Sequence, residues 1–150
     1  MDTDYIDEEA APVNRMVIAI MALVGLMISV YTLLFKLGVV GTFACGSGAC
    51  EFVQLSPFAT QLGIPVPVWG LAGYGVMLVV AVLGLNAFLH RRWVAMTLLA
   101  GGIGGFLFSA YLSYLEAYRI HAWCRWCLGS AAVATIMFLA SLPEFRRIRQ

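Results

Sequence analysis

A chain of 150 residues that is 62% hydrophobic and 11% charged, with a mean hydropathy of +0.90, lies far from the soluble globular norm of about 25% charged residues. Its formal net charge of +1 sets up no field to draw a polyanion. No basic block is interleaved with aromatics in a polar segment either, which excludes nucleic-acid binding and leaves one domain in lipid.

The chain opens on an acidic head with Asp2, Asp4, Asp7, Glu8 and Glu9, read as a cytoplasmic tail over residues 1–14. A secretory signal needs a basic head and a shorter apolar core, so the apolar run 16–35 reads as a retained helix. With the runs 67–89, 93–115 and 126–142 it makes four uncharged stretches near the roughly 20 residues that span a hydrocarbon core. The expected architecture is an all-α membrane protein. Its four-transmembrane-helix bundle covers residues 15–143, followed by a basic cytoplasmic tail over 144–150.

Between the first two helices, the segment Cys45-Gly46-Ser47-Gly48-Ala49-Cys50 would span up to about 17 Å if extended. A disulfide needs Cα atoms within about 7 Å, so the segment must fold back, and Gly46 and Gly48 tolerate the positive φ values of such a turn. The same glycines would leave the loop free to meet one partner and then another. Farther on, Pro57 suits the first turn of a short helix over 56–62 that Gly63 and Pro65 end, placed as a lid on the outer side.

In the third helix Gly101, Gly105 and Ser109 recur at every fourth position, which predicts a face that a neighbouring backbone approaches closely. The string Gly101-Gly102-Ile103-Gly104-Gly105 has no preceding strand and no lysine, so helix packing is preferred to phosphate binding. Trp69, Tyr74, Trp93, Tyr111, Tyr114, Tyr118, Trp123 and Trp126 mostly fall near helix ends, as interfacial anchors do. Glu116, Arg119 and His121 are candidate proton donors, although solvation at the interface accounts for them more simply.

Cys124 and Cys127 open the last helix in the string Trp123-Cys124-Arg125-Trp126-Cys127. Cysteines at i and i+3 in a first turn face one side, about 5 to 6 Å apart at Cβ. The unpaired N–H groups and positive dipole end there stabilise a thiolate, with Arg125 adding to the effect.

Basic residues orient the bundle, because cytoplasmic flanks carry the excess. With both termini inside, Arg15, Arg91, Arg92, Arg146, Arg147 and Arg149 are cytoplasmic, against Lys36, Arg119 and Arg125 outside. That orientation places all four cysteines on the outer side, the periplasmic face of a bacterial inner membrane, where disulfides persist. Three readings of the cysteines stand at this point: two redox pairs in an enzyme, structural staples in a non-enzymatic scaffold, and a metal-binding protein with a four-thiolate zinc site.

The segment from Cys45 to Tyr74 resembles the vitamin K epoxide reductase family, in particular its bacterial members. The matching residues are Cys45, Cys50, Glu51, Val53, Ser56-Pro57-Phe58-Ala59, Gly63-Ile64-Pro65, Gly70 and Tyr74, completed by Cys124 and Cys127. The DsbB family places its CxxC in the earlier outer loop, the reverse of the order here. Two departures are a shorter spacer between Cys45 and Cys50 than many members have, and an end at Gln150 where several bacterial members continue into a thioredoxin-like domain. The resemblance implies that Cys45 and Cys50 take electrons from a separate thioredoxin-fold thiol oxidase of the DsbA type. They would pass them to Cys124 and Cys127, and from there to a quinone, ubiquinone or menaquinone. It further implies that Cys127 adjoins the quinone, that Cys124 exchanges with the loop pair, and that the Ser56 hydroxyl donates to a quinone carbonyl.

The orientation is testable with a membrane-impermeant thiol reagent, which should label the loop cysteines in intact cells after reduction. Labelling only once the inner face is opened would reverse the topology.

Overall fold

The computed structural model describes residues 2–41, 49–85 and 91–149, and its architecture is all-α. The first helix, α1, spans Asp2–Lys36, a short α2 spans Ala49–Leu55, and a 3₁₀ turn at Pro57–Ala59 leads into strands β1 (Thr60–Gln61) and β2 (Ile64–Pro65). Helices α3 (Val66–Leu85) and α4 (Arg92–Leu115) follow. A π-helical segment at Glu116–Ile120, then α5 (Arg125–Ser141) and α6 (Pro143–Arg149), complete the order. Four stretches, Val13–Lys36, Val66–Leu85, Arg92–Ile120 and Arg125–Arg146, are long and apolar enough to cross a membrane.

The helix starts differ from expectation mainly in α1, which begins at Asp2 rather than near residue 16. At about 1.5 Å per residue α1 is about 52 Å long, well beyond a hydrocarbon core of about 30 Å. Propagation adds one hydrogen bond per residue once a helix is nucleated. The expected end of the second span at residue 89 lies outside the described residues.

The lid differs more. In place of a helix over 56–62, the helical turns lie earlier, in α2, and Ser56 sits at the break between α2 and the 3₁₀ turn with extended backbone (φ −70°, ψ 155°). Proline disfavours helical geometry in the residue before it, so Pro57 ends one element and starts the next. Thr60 and Gln61 then pair antiparallel with Pro65 and Ile64. Leu62 and Gly63 make the turn with φ values of 55° and 80°, the left-handed pair that a two-residue hairpin requires. The Lys36 ammonium donates to Ala59 O at 2.9 Å and to Thr60 Oγ1 at 3.2 Å, and Trp69 Nε1 donates to Gln61 O at 3.3 Å. The lid is thereby fastened to the end of α1 and the start of α3.

In the bundle α1 packs chiefly on α3 and α5, and α4 packs on α5, while α3 and α4 meet over a smaller area. Ile18, Ala22, Met77, Val80, Ala81, Val94, Leu98, Val133 and Met137 form the main core. The glycine-rich face of α4 divides its work. Gly101 and Gly102 are close-approach positions: a Cβ on Gly101 would collide with the Met77 side chain, and one on Gly102 would come 3.4 Å from Phe138 Cα and collide with the Ser141 hydroxyl. Gly105 has open space at the same distance, so part of the expected packing stripe borders a cavity instead.

At the end of the bundle away from the cysteines, Arg15 and Glu144 are both fully buried and paired through two contacts of 2.9 Å, Nε to Oε1 and Nη2 to Oε2. Arg15 Nη1 also donates to Gly84 O at 2.8 Å, a carbonyl in the last turn of α3. Asn14 Nδ2 adds bonds to Ala140 O at 2.8 Å and Glu144 Oε1 at 3.1 Å. Arg15 is thus a structural residue rather than a solvated flank charge.

Removing one member of a buried pair leaves the other charge uncompensated, at about 3–5 kcal/mol, whereas replacing both by apolar groups of similar volume is often close to neutral. Glu144→Ala should therefore destabilise the protein by that amount in detergent thermal denaturation. Arg15→Met with Glu144→Met should recover most of the loss; a double variant no better than the single would refute this account of the pair.

Candidate functional site

The CxxC motif follows the π-helical segment that continues α4. His121 closes that segment in left-handed geometry (φ 56°), with its N–H and that of Ala122 both bonded to Glu116 O. The chain then extends to Cys124, the N-cap of α5 (φ −95°, ψ 120°), whose sulfur accepts the backbone N–H of Cys127 at 3.4 Å. A thiol thus occupies the position where serine or aspartate usually satisfies an orphan N–H. Cys124 caps the helix rather than lying within its first turn, and it meets the positive end of the dipole directly.

Cys124 and Cys127 are free thiols, Cys124 fully buried and Cys127 partly exposed. The hydrogen bond with the Cys127 thiol is the largest influence on Cys124 and holds it below the ordinary cysteine range. The backbone N–H groups of Cys127 and Trp126 act the same way, while burial and the Glu116 carboxylate oppose them. The setting of Cys124 at the start of α5 thus favours its thiolate.

From the lid, α2 presents Cys50 and Gln54 on one face, one helical turn apart. Cys50 is disulfide-bonded and fully buried; Cys45 lies outside the described residues. Cys50, Val53 and Cys124 form one buried cluster, with Tyr31, Phe35, Ile120, Ala122, Trp126 and Cys127 packed around it. The Tyr31 and Trp126 rings lie 4.7 Å apart within that wall. The structure thereby brings Cys50 of the loop together with both cysteines of the CxxC motif.

Below Cys127 a cavity of about 900 Å³ extends between the helices toward Met96 and Thr97, near the upper end of the range for small-molecule sites. Its wall is mostly apolar, with Met77, Phe108, Leu112, Trp126 and Met137 among its side chains and Gly105 and Ser109 leaving the space open. Tyr74 borders it too, its hydroxyl held by Ser130 O at 3.0 Å and Ser130 Oγ at 2.7 Å.

The polar groups nearest the sulfur are Gln54 and Glu116. Gln54 is buried on α2; its Nε2 donates to Cys127 Sγ at 3.3 Å, and its Oε1 has no hydrogen-bond partner among the described residues. Sequence reasoning passed over Gln54, and its signal was a lone amide between Val53 and Leu55, one turn after Cys50. Glu116, assigned to interfacial solvation from sequence, is buried, and its Oε2 accepts the Cys124 N–H at 3.2 Å. Arg119 and His121 are exposed.

The Ser56 hydroxyl, expected at a quinone carbonyl, donates to Val53 O at 2.7 Å, and Ser56 is not among the residues lining the cavity. Pro57 has no N–H to give the Val53 carbonyl four residues back, which instead accepts the Ser56 N–H at 3.3 Å and the Ser56 hydroxyl. Among the described residues no group of His, Cys, Asp and Glu has the arrangement of a metal site.

The sequence model of the vitamin K epoxide reductase family matches residues 16–142, a span that takes in all four membrane helices, the lid and both cysteine motifs. Members are membrane oxidoreductases that form disulfides and are linked in general to quinones and thioredoxin-like partners. By this match, and with a four-helix bundle that sets a CxxC motif above an apolar cavity, the chain belongs to the vitamin K epoxide reductase family.

Proposed function

We propose that this protein is a membrane thiol oxidase that carries electrons from a reduced thioredoxin-fold partner of the DsbA type, through Cys45 and Cys50 and then Cys124 and Cys127, to a quinone in the cavity beside Cys127. The observation that carries the reading is the single buried cluster holding Cys50 and Cys124, with Cys127 facing the cavity. On this reading the molecule lies in a bacterial inner membrane with both termini cytoplasmic and the cysteine loops periplasmic.

The cavity residues fit a quinone. Its volume accepts a ring and part of a tail, its sides are apolar, and the Gln54 amide has a second N–H and an unpaired oxygen. One can donate to a carbonyl and the other can accept from the hydroxyl of the reduced form. A bound quinone supplies a two-electron, two-proton acceptor. The chain's own groups do the rest. Once the partner's thiols have reduced the loop disulfide, the Cys50 thiolate attacks the Cys124–Cys127 disulfide at Cys124 and Cys127 leaves; Cys45 then closes the loop disulfide and releases Cys124, whose setting favours the thiolate. Each exchange is thiolate attack on a disulfide, governed by the pKa of the attacking and leaving sulfurs. The N–H of Gln54 steadies Cys127 at the cavity wall. Phe35, Tyr31 and Trp126 pack around the cluster and keep water from it.

If electrons pass in series, the two pairs should fail differently. Cys124→Ala or Cys127→Ala should abolish quinone reduction from every thiol donor. The Cys45→Ala, Cys50→Ala double variant should retain turnover with a small dithiol, which diffuses to the CxxC disulfide, and lose it with a reduced thioredoxin-fold protein. Equal losses with both donors, corrected for folded fraction, would point to structural disulfides instead.

The two polar candidates near the quinone separate by substitution. Loss of one neutral hydrogen bond is worth about 0.5 to 1.5 kcal/mol, so Gln54→Leu should lower kcat/KM for quinone by roughly three- to tenfold. Ser56→Ala should leave it close to wild type and cost only the turn bond to Val53 O. The reverse pattern in steady-state kinetics would return the carbonyl to Ser56.

A further inference from the structure

Glu116 has no part in the relay just described, yet it is the carboxyl closest to the chemistry. It is 4% exposed, and its Oε2 receives the Cys124 N–H at 3.2 Å. It shares the walls of two cavities with Cys127. No cation stands within ion-pair distance of it among the described residues. A carboxyl that only had to cap the Cys124 N–H could be an amide at no charge cost, because burying an unpaired charge is expensive.

Its location is equally specific. Besides the large cavity, a second one of about 30 Å³ lies on the lid side, roomy enough for a water molecule. Gln54, Glu116 and Cys127 line both cavities, so they form the polar part of the wall between them. The other groups around the small cavity are apolar: Val53, Phe58 and Ala59 from the lid, Val66 of α3, and Leu112, Leu115 and Ile120 beside Glu116. The titratable groups that face Glu116 are thus Cys124 and Cys127. Glu116 also opens the π-helical segment, an insertion that re-aims side chains and is frequent at functional sites.

We propose that Glu116 is a catalytic residue, the proton carrier of the CxxC pair, which takes the Cys127 thiol proton as the disulfide forms and holds it at the cavity wall for the reduced quinone. The step balances with Cys124 as thiolate. The Cys127 S–H bond breaks, the Cys124–Cys127 S–S bond forms, the Glu116 carboxylate becomes the acid, and two electrons leave to the oxidant, a quinone on the proposed function. Glu116 then supplies one of the two protons the reduced quinone needs, and water supplies the other. This inference rests on that function for the identity of the oxidant, but protonation of Glu116 can be read without it.

The experiment is redox-difference infrared spectroscopy on the detergent-purified protein, cycled between dithiol and disulfide by a small dithiol couple with no quinone added. Oxidation should produce a band of a protonated carboxyl that shifts on 13C-glutamate labelling. The band should vanish in Glu116→Gln, which keeps an acceptor for the Cys124 N–H but cannot take a proton, and persist in Glu51→Gln. In turnover, Glu116→Gln should lose about 10²-fold in kcat, the lower part of the range for general acid–base catalysis, with the KM for quinone nearly unchanged. Absence of the band from the labelled wild type, a result independent of whether the variant folds, would overturn the assignment. So would its survival in Glu116→Gln. A band that behaves as expected in a protein without quinone turnover would leave Glu116 as the proton carrier and remove the proposed oxidant.

Discussion

Inside a bilayer no bulk water hydrates a charge, so a guanidinium placed among helices must find its partners in the protein. Arg15 finds them in Glu144, through paired 2.9 Å contacts, and in the carbonyl of Gly84. Those bonds tie the inner turn of α1 to the end of α3 and to α6, whose position follows the break at Pro143. A slip of any one of these elements by a turn would strand a buried charge. Such a pair is weak evidence for net stability, but it is effective at choosing one register over its neighbours. With that end held and the main core packed beside it, the other end can hold an open cavity and a thiol site without losing alignment.

The opposite end is organised by a different scarcity, that of partners for backbone N–H groups at the start of α5. Cys124 supplies its sulfur to the Cys127 N–H, and Glu116 supplies a carboxylate oxygen to the Cys124 N–H. Both bonds would be needed for a helix start in this apolar setting whatever the protein did. Here they also fix a reactive sulfur at the positive end of a helix, so local folding requirements and thiol reactivity are met by the same atoms. The lid completes the site. Lys36 and Trp69 hold its hairpin, leaving α2 to present Cys50 to the buried cluster and Gln54 to Cys127.

The cavity follows from side-chain size. Tight packing of α4 on α5 at Gly102 and looser contact between α3 and α4 leave a space that Gly105 and Ser109 do not fill. Larger residues at those positions would close it. The mostly apolar walls suit a flat, greasy acceptor, and beside Cys127 they carry the buried polar groups of Gln54 and Glu116.

Much was legible in the sequence because it depends on composition and local spacing. Four apolar runs, the CxxC spacing, the loop cysteines and the motif from Cys45 to Tyr74 all follow from residues close together in the chain, and the family and the bundle follow from them. What depended on residues far apart was not legible. Ser56 looked like the polar donor of the lid, yet a carbonyl three residues back claims its hydroxyl, while Gln54 and Glu116 carried no motif and are brought to Cys127 by separate elements. Arg15 was counted only among the basic residues that orient the bundle, because nothing near it in the chain announces Glu144, 129 residues away. Hydropathy records what each segment prefers as a solvent and so determines which stretches enter the membrane; which polar atoms meet inside it is decided by how the helices pack, and only the tertiary structure holds that information.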